Sequence, residues 1–186
     1  MKLYIRKADL MVGNILVVAN QNKETIFIAS RDKDDPLLIQ LYNRLNTKIG
    51  EIKLKNNFLK IYSIEINGEE KATINAVPVI EMKYVYLSKI NWNIIGNLVV
   101  SDYHAVQGGN EVMKVQPTVM NQGQPGLEID IDEMDNGPVA TLIAIFLDKY
   151  IRVPSLKPET DLNIGFKSKL SYFNFKNRDW KKTDRS

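Results

Sequence analysis

From residue 1 to about 132, apolar and polar side chains alternate with a period of two. Leu3 and Ile5 open the pattern, and Ile15 to Val18 and Ile26 to Ile28 follow across the turn-forming Asn20-Gln21-Asn22-Lys23. Pro36 introduces the next apolar stretch, Leu37 to Tyr42. Ile52 and Leu54 then alternate with Glu51, Lys53 and Lys55, as do Tyr62, Ile64 and Ile66 with Ser63, Glu65 and Asn67. Leu127, Ile129 and Ile131 alternate with Glu128, Asp130 and Asp132. Successive side chains leave a strand on opposite sides, so each run predicts a strand with one wet and one dry face. Asn67-Gly68 favours the positive φ values of a type I′ hairpin, and Gly108-Gly109 and Gln122-Gly123-Gln124-Pro125-Gly126 mark further turns. About twelve short runs at this spacing predict an antiparallel barrel or sandwich.

The period changes after Asp135-Asn136-Gly137-Pro138, a helix start with cap-capable residues followed by proline in the first turn. Val139 to Leu147 contains one polar residue, Thr141, and Pro154 ends the segment. The predicted helix, residues 138–151, is apolar on every side, so it must be buried on every side. Its apolar part, at 1.5 Å per residue, covers about 15 Å, roughly half a bilayer core, which favours burial in protein. A lone buried helix in a β-protein fits best along the axis of a closed barrel, and closure also removes exposed sheet edges. The expected fold is therefore all-β with one helix: a barrel of about twelve antiparallel strands around a central hydrophobic helix.

The opening strand Leu3-Tyr4-Ile5-Arg6-Lys7, the paired strands, Gly96-Asn97-Leu98, the acidic strand Leu127 to Asp132 and the apolar helix after Gly137-Pro138 come in a telling order. In that order and character the chain resembles a bacterial member of the tubby C-terminal-like superfamily, in its LURP-one-related branch. The resemblance spans residues 1–153 and implies a twelve-stranded antiparallel barrel threaded by a C-terminal helix. It also brings lipid contact into view, because tubby proteins bind phosphoinositides and phospholipid scramblases are predicted to share the fold. No motif here matches tubby's lipid-contacting residues, and bacteria generally lack those lipids.

Composition narrows the chemistry. The 186 residues suit one domain, with ordinary globular apolar and charged fractions. The absence of cysteine excludes disulfides, thiolate catalysis and cysteine-ligated zinc, and is compatible with a reducing cytoplasm. The net charge of +3 is too small to predict a nucleic-acid partner. Lys2, Arg6 and Lys7 before the apolar stretch Leu10 to Ala19 superficially resemble a secretory leader. Asp9, the Gly13-Asn14 interruption and the strand-like alternation of Leu3 and Ile5 favour two short strands instead.

The remaining segment, 154–186, differs in kind. Eight basic residues against four acidic ones give it a net charge of +4, and Phe166, Tyr172, Phe173, Phe175 and Trp180 interleave with them. Lys167, Lys169, Lys176, Arg178, Trp180, Lys181 and Lys182 are the candidate contacts with an anionic lipid surface or a protein partner. The competing reading is a solvated terminal segment. His104, the one histidine, would need a nucleophile or metal partners to catalyse anything, and is read as a surface strand or turn residue. The acidic residues 128–135 fail the calcium-loop pattern, since Met134, Asp135 and Thr141 fall where a ligand, glycine and glutamate belong. Gly108-Gly109-Asn110 lacks the lysine of a phosphate loop. No catalytic residue, metal site or cofactor is expected. The expected function is a non-catalytic binding or scaffold domain, cytoplasmic and peripheral at the membrane. The alternative is a small-molecule or hydrolytic barrel with its site near His104.

Overall fold

The computed structural model describes residues 1–35, 37–75, 84–120 and 123–152. The alternating runs form twelve strands: β1 (Lys2–Arg6), β2 (Ile15–Asn20), β3 (Thr25–Arg31), β4 (Ile39–Asn43), β5 (Lys48–Asn56), β6 (Ile61–Ile66), β7 (Glu69–Asn75), β8 (Tyr84–Ser88), β9 (Trp92–Asn97), β10 (Asp102–Gln107), β11 (Asn110–Val119) and β12 (Pro125–Ile131). Each pairs antiparallel with the next, and β1 also pairs with β12, so the sheet closes into a barrel. The register puts Leu3, Ile129, Val115 and Tyr103 on one inward row across β1, β12, β11 and β10. All four are buried, as the period of two requires. Asn67 (φ 52°) and Gly68 (φ 81°) take the two positive φ values expected of a type I′ turn. Pro36, Gln122 and the whole of 154–186, singled out in the sequence, lie outside the described residues.

Helix α2 (Gly137–Arg152) fills the barrel. Every residue from Val139 to Leu147 is buried, although among the described residues no helix of comparable length packs on it. Each large apolar side chain so placed contributes about 1.5–3 kcal/mol relative to exposure. The wall makes room for it at Gly50 of β5, where an added Cβ would lie 2.7 Å from Ile66 Cδ1 and 3.3 Å from Leu142 Cδ1 of the helix. Aromatic packing extends the contact. The Tyr62 ring meets Phe146 edge-on at 5.0 Å, and Phe146 stacks on Tyr150 at 5.5 Å. Burial of the Tyr62 hydroxyl pushes its pKa up to about 12.

A second helix departs from the sequence expectation. Residues Lys7–Val12 form a six-residue helix, α1, between β1 and β2, so Leu10 is helical and only Ile15 onward is strand. Arg31 accounts for this. It occupies an inward position on β3 and is buried, and it spends its donors on backbone carbonyls at the end of α1. Its Nη1 donates to Leu10 O at 2.8 Å, Nη2 to Asp9 O at 2.8 Å, and Nε to Gly13 O at 3.1 Å. Asp9 O also accepts the Gly13 N–H at 2.9 Å, so Arg31 reinforces the closing bond of the helix, and a cation at this end is favoured by the helix dipole. Leu10 is then free to seal the lumen from above, fully buried.

The topology defines two ends. Connections from odd- to even-numbered strands lie at one end, and those from even to odd at the other. Helix α2 enters at the second end, where Gly137 lies near Met1 and Phe27. It finishes at the first, where Lys7 of α1 donates to Asp148 Oδ1 at 3.2 Å.

On the outer wall, Glu70 of β7 receives Lys55 at 2.8 Å and Lys89 at 2.7 Å. These hydrogen bonds depress its pKa from 4.5 to about 2. A depressed carboxylate stabilises the folded state above its unfolded pKa and loses that contribution as pH falls through the folded value. The Glu70 contribution is therefore expected to be present above pH 4.5 and to vanish towards pH 2. Urea unfolding at stepped pH checks this: Glu70→Gln should flatten the acid limb of the stability profile in that window. Because the cluster is solvent-exposed, high salt should flatten it as well.

Candidate functional surfaces at the outer wall and the helix exit

With α2 in the lumen, ligand chemistry is left to the outer wall and the two ends. Arg31, Ser101, Tyr103 and Asp148 gather at the helix-exit end, while Thr141, also buried, lies on α2 towards its entry. Lys7 reaches Asp148 and approaches Ser101 Oγ at 3.5 Å, while Arg31 lies close enough for Asp148 to raise its pKa against the lowering effect of burial. The Tyr103 hydroxyl, fully buried near Asp148, is driven upward chiefly by desolvation. This cluster ties α1, β3 and α2 together through buried charge. It is a structural clamp: Lys7 and Arg31 are committed to Asp148 and to carbonyls.

His104 stands on β10 between the inward Tyr103 and Ala105, so it faces outward and is half-buried. Its cross-strand neighbours are Ile95 of β9 and Lys114 of β11, neither a carboxylate nor a nucleophile. Gly108 (φ 57°) and Gly109 (φ 91°) form the β10–β11 turn. Among the described residues, no group of three histidine, aspartate or glutamate side chains is placed to hold a metal ion.

The acidic strand is only partly the wet face that alternation predicts. Asp132 is exposed, but Glu128 is buried on the outside of β12. Its neighbours across the register are Tyr4 of β1 and Gln116 of β11. Lys2 Nζ donates to Glu128 Oε1 at 2.6 Å and Gln116 Nε2 to the same oxygen at 3.2 Å. Burial opposes ionisation, but these bonds and that from Tyr4 prevail and hold the carboxyl below its usual range. Cross-strand partners carry this burial, and a single strand's pattern cannot reveal it.

A groove of about 450 Å³ runs over the outer wall near β1 and β2 and the end of β11. Val17, Val119 and Met120 supply apolar walls, and Tyr4, Arg6 and Lys23 supply polar edges. Among the described residues, no carboxylate and no histidine lines it. Gly126 of β12 lets Met120 lie across the strand, since an added Cβ would be 2.6 Å from Met120 Sδ. Arg6 also pairs with Asp9, Nε to Oδ2 at 3.0 Å. The groove thus combines apolar surface with positive charge.

The sequence-predicted contacts Lys167, Lys169, Lys176, Arg178, Trp180, Lys181 and Lys182 lie outside the described residues. Neither the groove nor the clamp was legible in the sequence, because both are assembled from strands far apart in the chain.

No family model and no curated protein matches the chain. Its fold is similar to that of a protein from Arabidopsis thaliana solved by X-ray crystallography, with a TM-score of 0.54 and 13% sequence identity. The match covers 80% of this chain and 90% of that one. At that identity the likeness shows the fold alone: a closed, helix-filled, twelve-stranded antiparallel barrel, the architecture that the tubby-like resemblance implied. No helix among the described residues is long and apolar enough to cross a membrane.

Proposed function

We propose that this chain is a bacterial LURP-one-related barrel that works without catalysis, as a binding domain for anionic lipid head groups at a membrane surface. The observation that carries the reading is the segment beyond α2, with its net charge of +4 and interleaved aromatic residues. Lysine and arginine are attracted to an anionic leaflet at roughly 1 kcal/mol each near the surface, and tryptophan and phenylalanine suit the interface. The filled lumen supports an external site, since barrels that keep ligands inside need an open interior. The outer groove, with its apolar walls and the cations Arg6 and Lys23, is chemically suited to an amphipathic anion. The alternative of a hydrolytic site near His104 has no comparable support, since the flanking residues are Ile95 and Lys114.

The test compares the full chain with a variant carrying Lys167→Ser, Lys169→Ser, Lys176→Ser, Arg178→Ser, Lys181→Ser and Lys182→Ser. Partition onto vesicles containing phosphatidylglycerol should fall at least tenfold in the variant, while its thermal melt stays unchanged. Equal partition of the two chains would remove the segment from the binding surface.

A further inference from the structure

The two ends of the barrel differ in their turns. At the end where α2 enters, the turns use residues suited to tight reversal, as in Asn20-Gln21-Asn22-Lys23, Asn67-Gly68 and Gly108-Gly109, and the β4–β5 turn exposes one isolated apolar residue, Leu45. At the end where α2 finishes, two turns carry adjacent apolar pairs at their tips. Phe58-Leu59 joins β5 to β6, and Val99-Val100 joins β9 to β10. All four side chains are exposed, Phe58 to 92%. They contribute nothing to the core.

Local bonding holds these pairs outward. Leu59 N–H donates to Asn56 Oδ1 at 2.9 Å, fixing the first turn. Ser101 N–H donates to Leu98 O at 3.1 Å, closing the second. Lys60 (φ 50°) and Ser101 (φ 59°) take the left-handed positions at the foot of each tip. An isolated exposed apolar residue needs no explanation, but two apolar dipeptides presented at one end of a closed barrel form a surface with an orientation.

We infer that this end of the barrel faces the membrane, with the Phe58-Leu59 and Val99-Val100 tips entering the boundary between head groups and acyl chains. The inference rests on the lipid reading above and gives it a geometry. The occupant follows from where the described chain stops. Arg152 closes α2 at this same end, and the 34 residues that follow carry the basic and aromatic side chains. The β3–β4 connection at this end carries Asp32, Lys33, Asp34 and Asp35, and Lys60 follows Phe58-Leu59.

The chain contains no cysteine, which allows single probes to be placed in the full protein. Phe58→Cys and Val99→Cys, each labelled with an environment-sensitive dye, are compared with Leu45→Cys, an exposed site at the opposite end. On vesicles of phosphatidylglycerol and phosphatidylcholine, the probes at 58 and 99 should shift to the blue and be quenched by brominated acyl chains. The probe at 45 should do neither. The double variant Phe58→Ser/Leu59→Ser should lose about tenfold or more in vesicle partition, as expected from returning two large apolar side chains to water. Vesicle binding with all three probes equally exposed would overturn the orientation and leave the lipid reading standing. Absence of binding by the unlabelled full chain would overturn both.

Discussion

Ile143→Asp is expected to abolish folding, and so is Ile145→Asp. Both side chains are fully buried on α2 inside the barrel. The effective penalty for a buried unpaired ion is several kcal/mol even after relaxation, and protonating the new carboxyl would still leave a polar group without partners. The lost apolar contacts add about 2–5 kcal/mol by analogy with large-to-small core changes. Together these approach the whole stability of a typical domain, about 5–15 kcal/mol. Ile143→Val, which keeps the apolar character, should cost only about 0.5–1.5 kcal/mol. Soluble yield and a cooperative thermal melt decide the matter. If both aspartate variants melt cooperatively near the parent temperature, α2 does not occupy the lumen.

The second large effect is expected at Arg31. Arg31→Met keeps much of the side-chain length and removes the guanidinium that bonds to Asp9 O, Leu10 O and Gly13 O. Hydrogen bonds involving a charged group contribute about 1.5–3 kcal/mol each, and the freed carbonyls can recover only part of this from water. Asp148 also loses a neighbouring positive charge. A net loss of about 3 kcal/mol is expected in urea unfolding, with faster amide exchange across α1 than across β1. Arg31→Lys should recover little, because an ammonium cannot match the planar fork that spans three carbonyls. An Arg31→Met protein of parental stability would show that α1 is held by Leu10 burial alone.

The parts of this fold legible in the sequence are those governed by local periodicity. Alternation in Tyr62-Ile64-Ile66 and Leu127-Ile129-Ile131 marks the inward face of two strands, and the unstriped apolar run Val139 to Leu147 marks a helix enclosed on all sides. Closure of the barrel follows from that helix, since a buried rod needs walls all round. Short-range pattern fails where partners come from far away. Six residues, Lys7 to Val12, are too few for helical periodicity to emerge, and it is Arg31, 21 and 22 positions onward, that bonds the carbonyls of Leu10 and Asp9. Glu128 reads as solvated along its own strand, yet Lys2 and Gln116 cover it from two neighbouring ones. Phe58-Leu59 and Val99-Val100 look like ordinary strand hydrophobes until the order of strands places both at the helix exit.

The same distinction explains why function is less legible than fold. The outer groove and the apolar rim are surfaces assembled by topology, which no local residue pattern announces. A helix-filled barrel has to meet its ligand on the outside. Two features favour a lipid surface: the positive, aromatic segment following α2, and the apolar tips at the end where α2 finishes.

Co-sedimentation of the full chain with anionic and neutral vesicles, at low and high salt, tests the membrane assignment most directly. The account predicts sedimentation with phosphatidylglycerol vesicles at low salt, weaker sedimentation as salt screens the charge, and little with neutral vesicles. A chain that stays in the supernatant with every lipid at every salt concentration would contradict it.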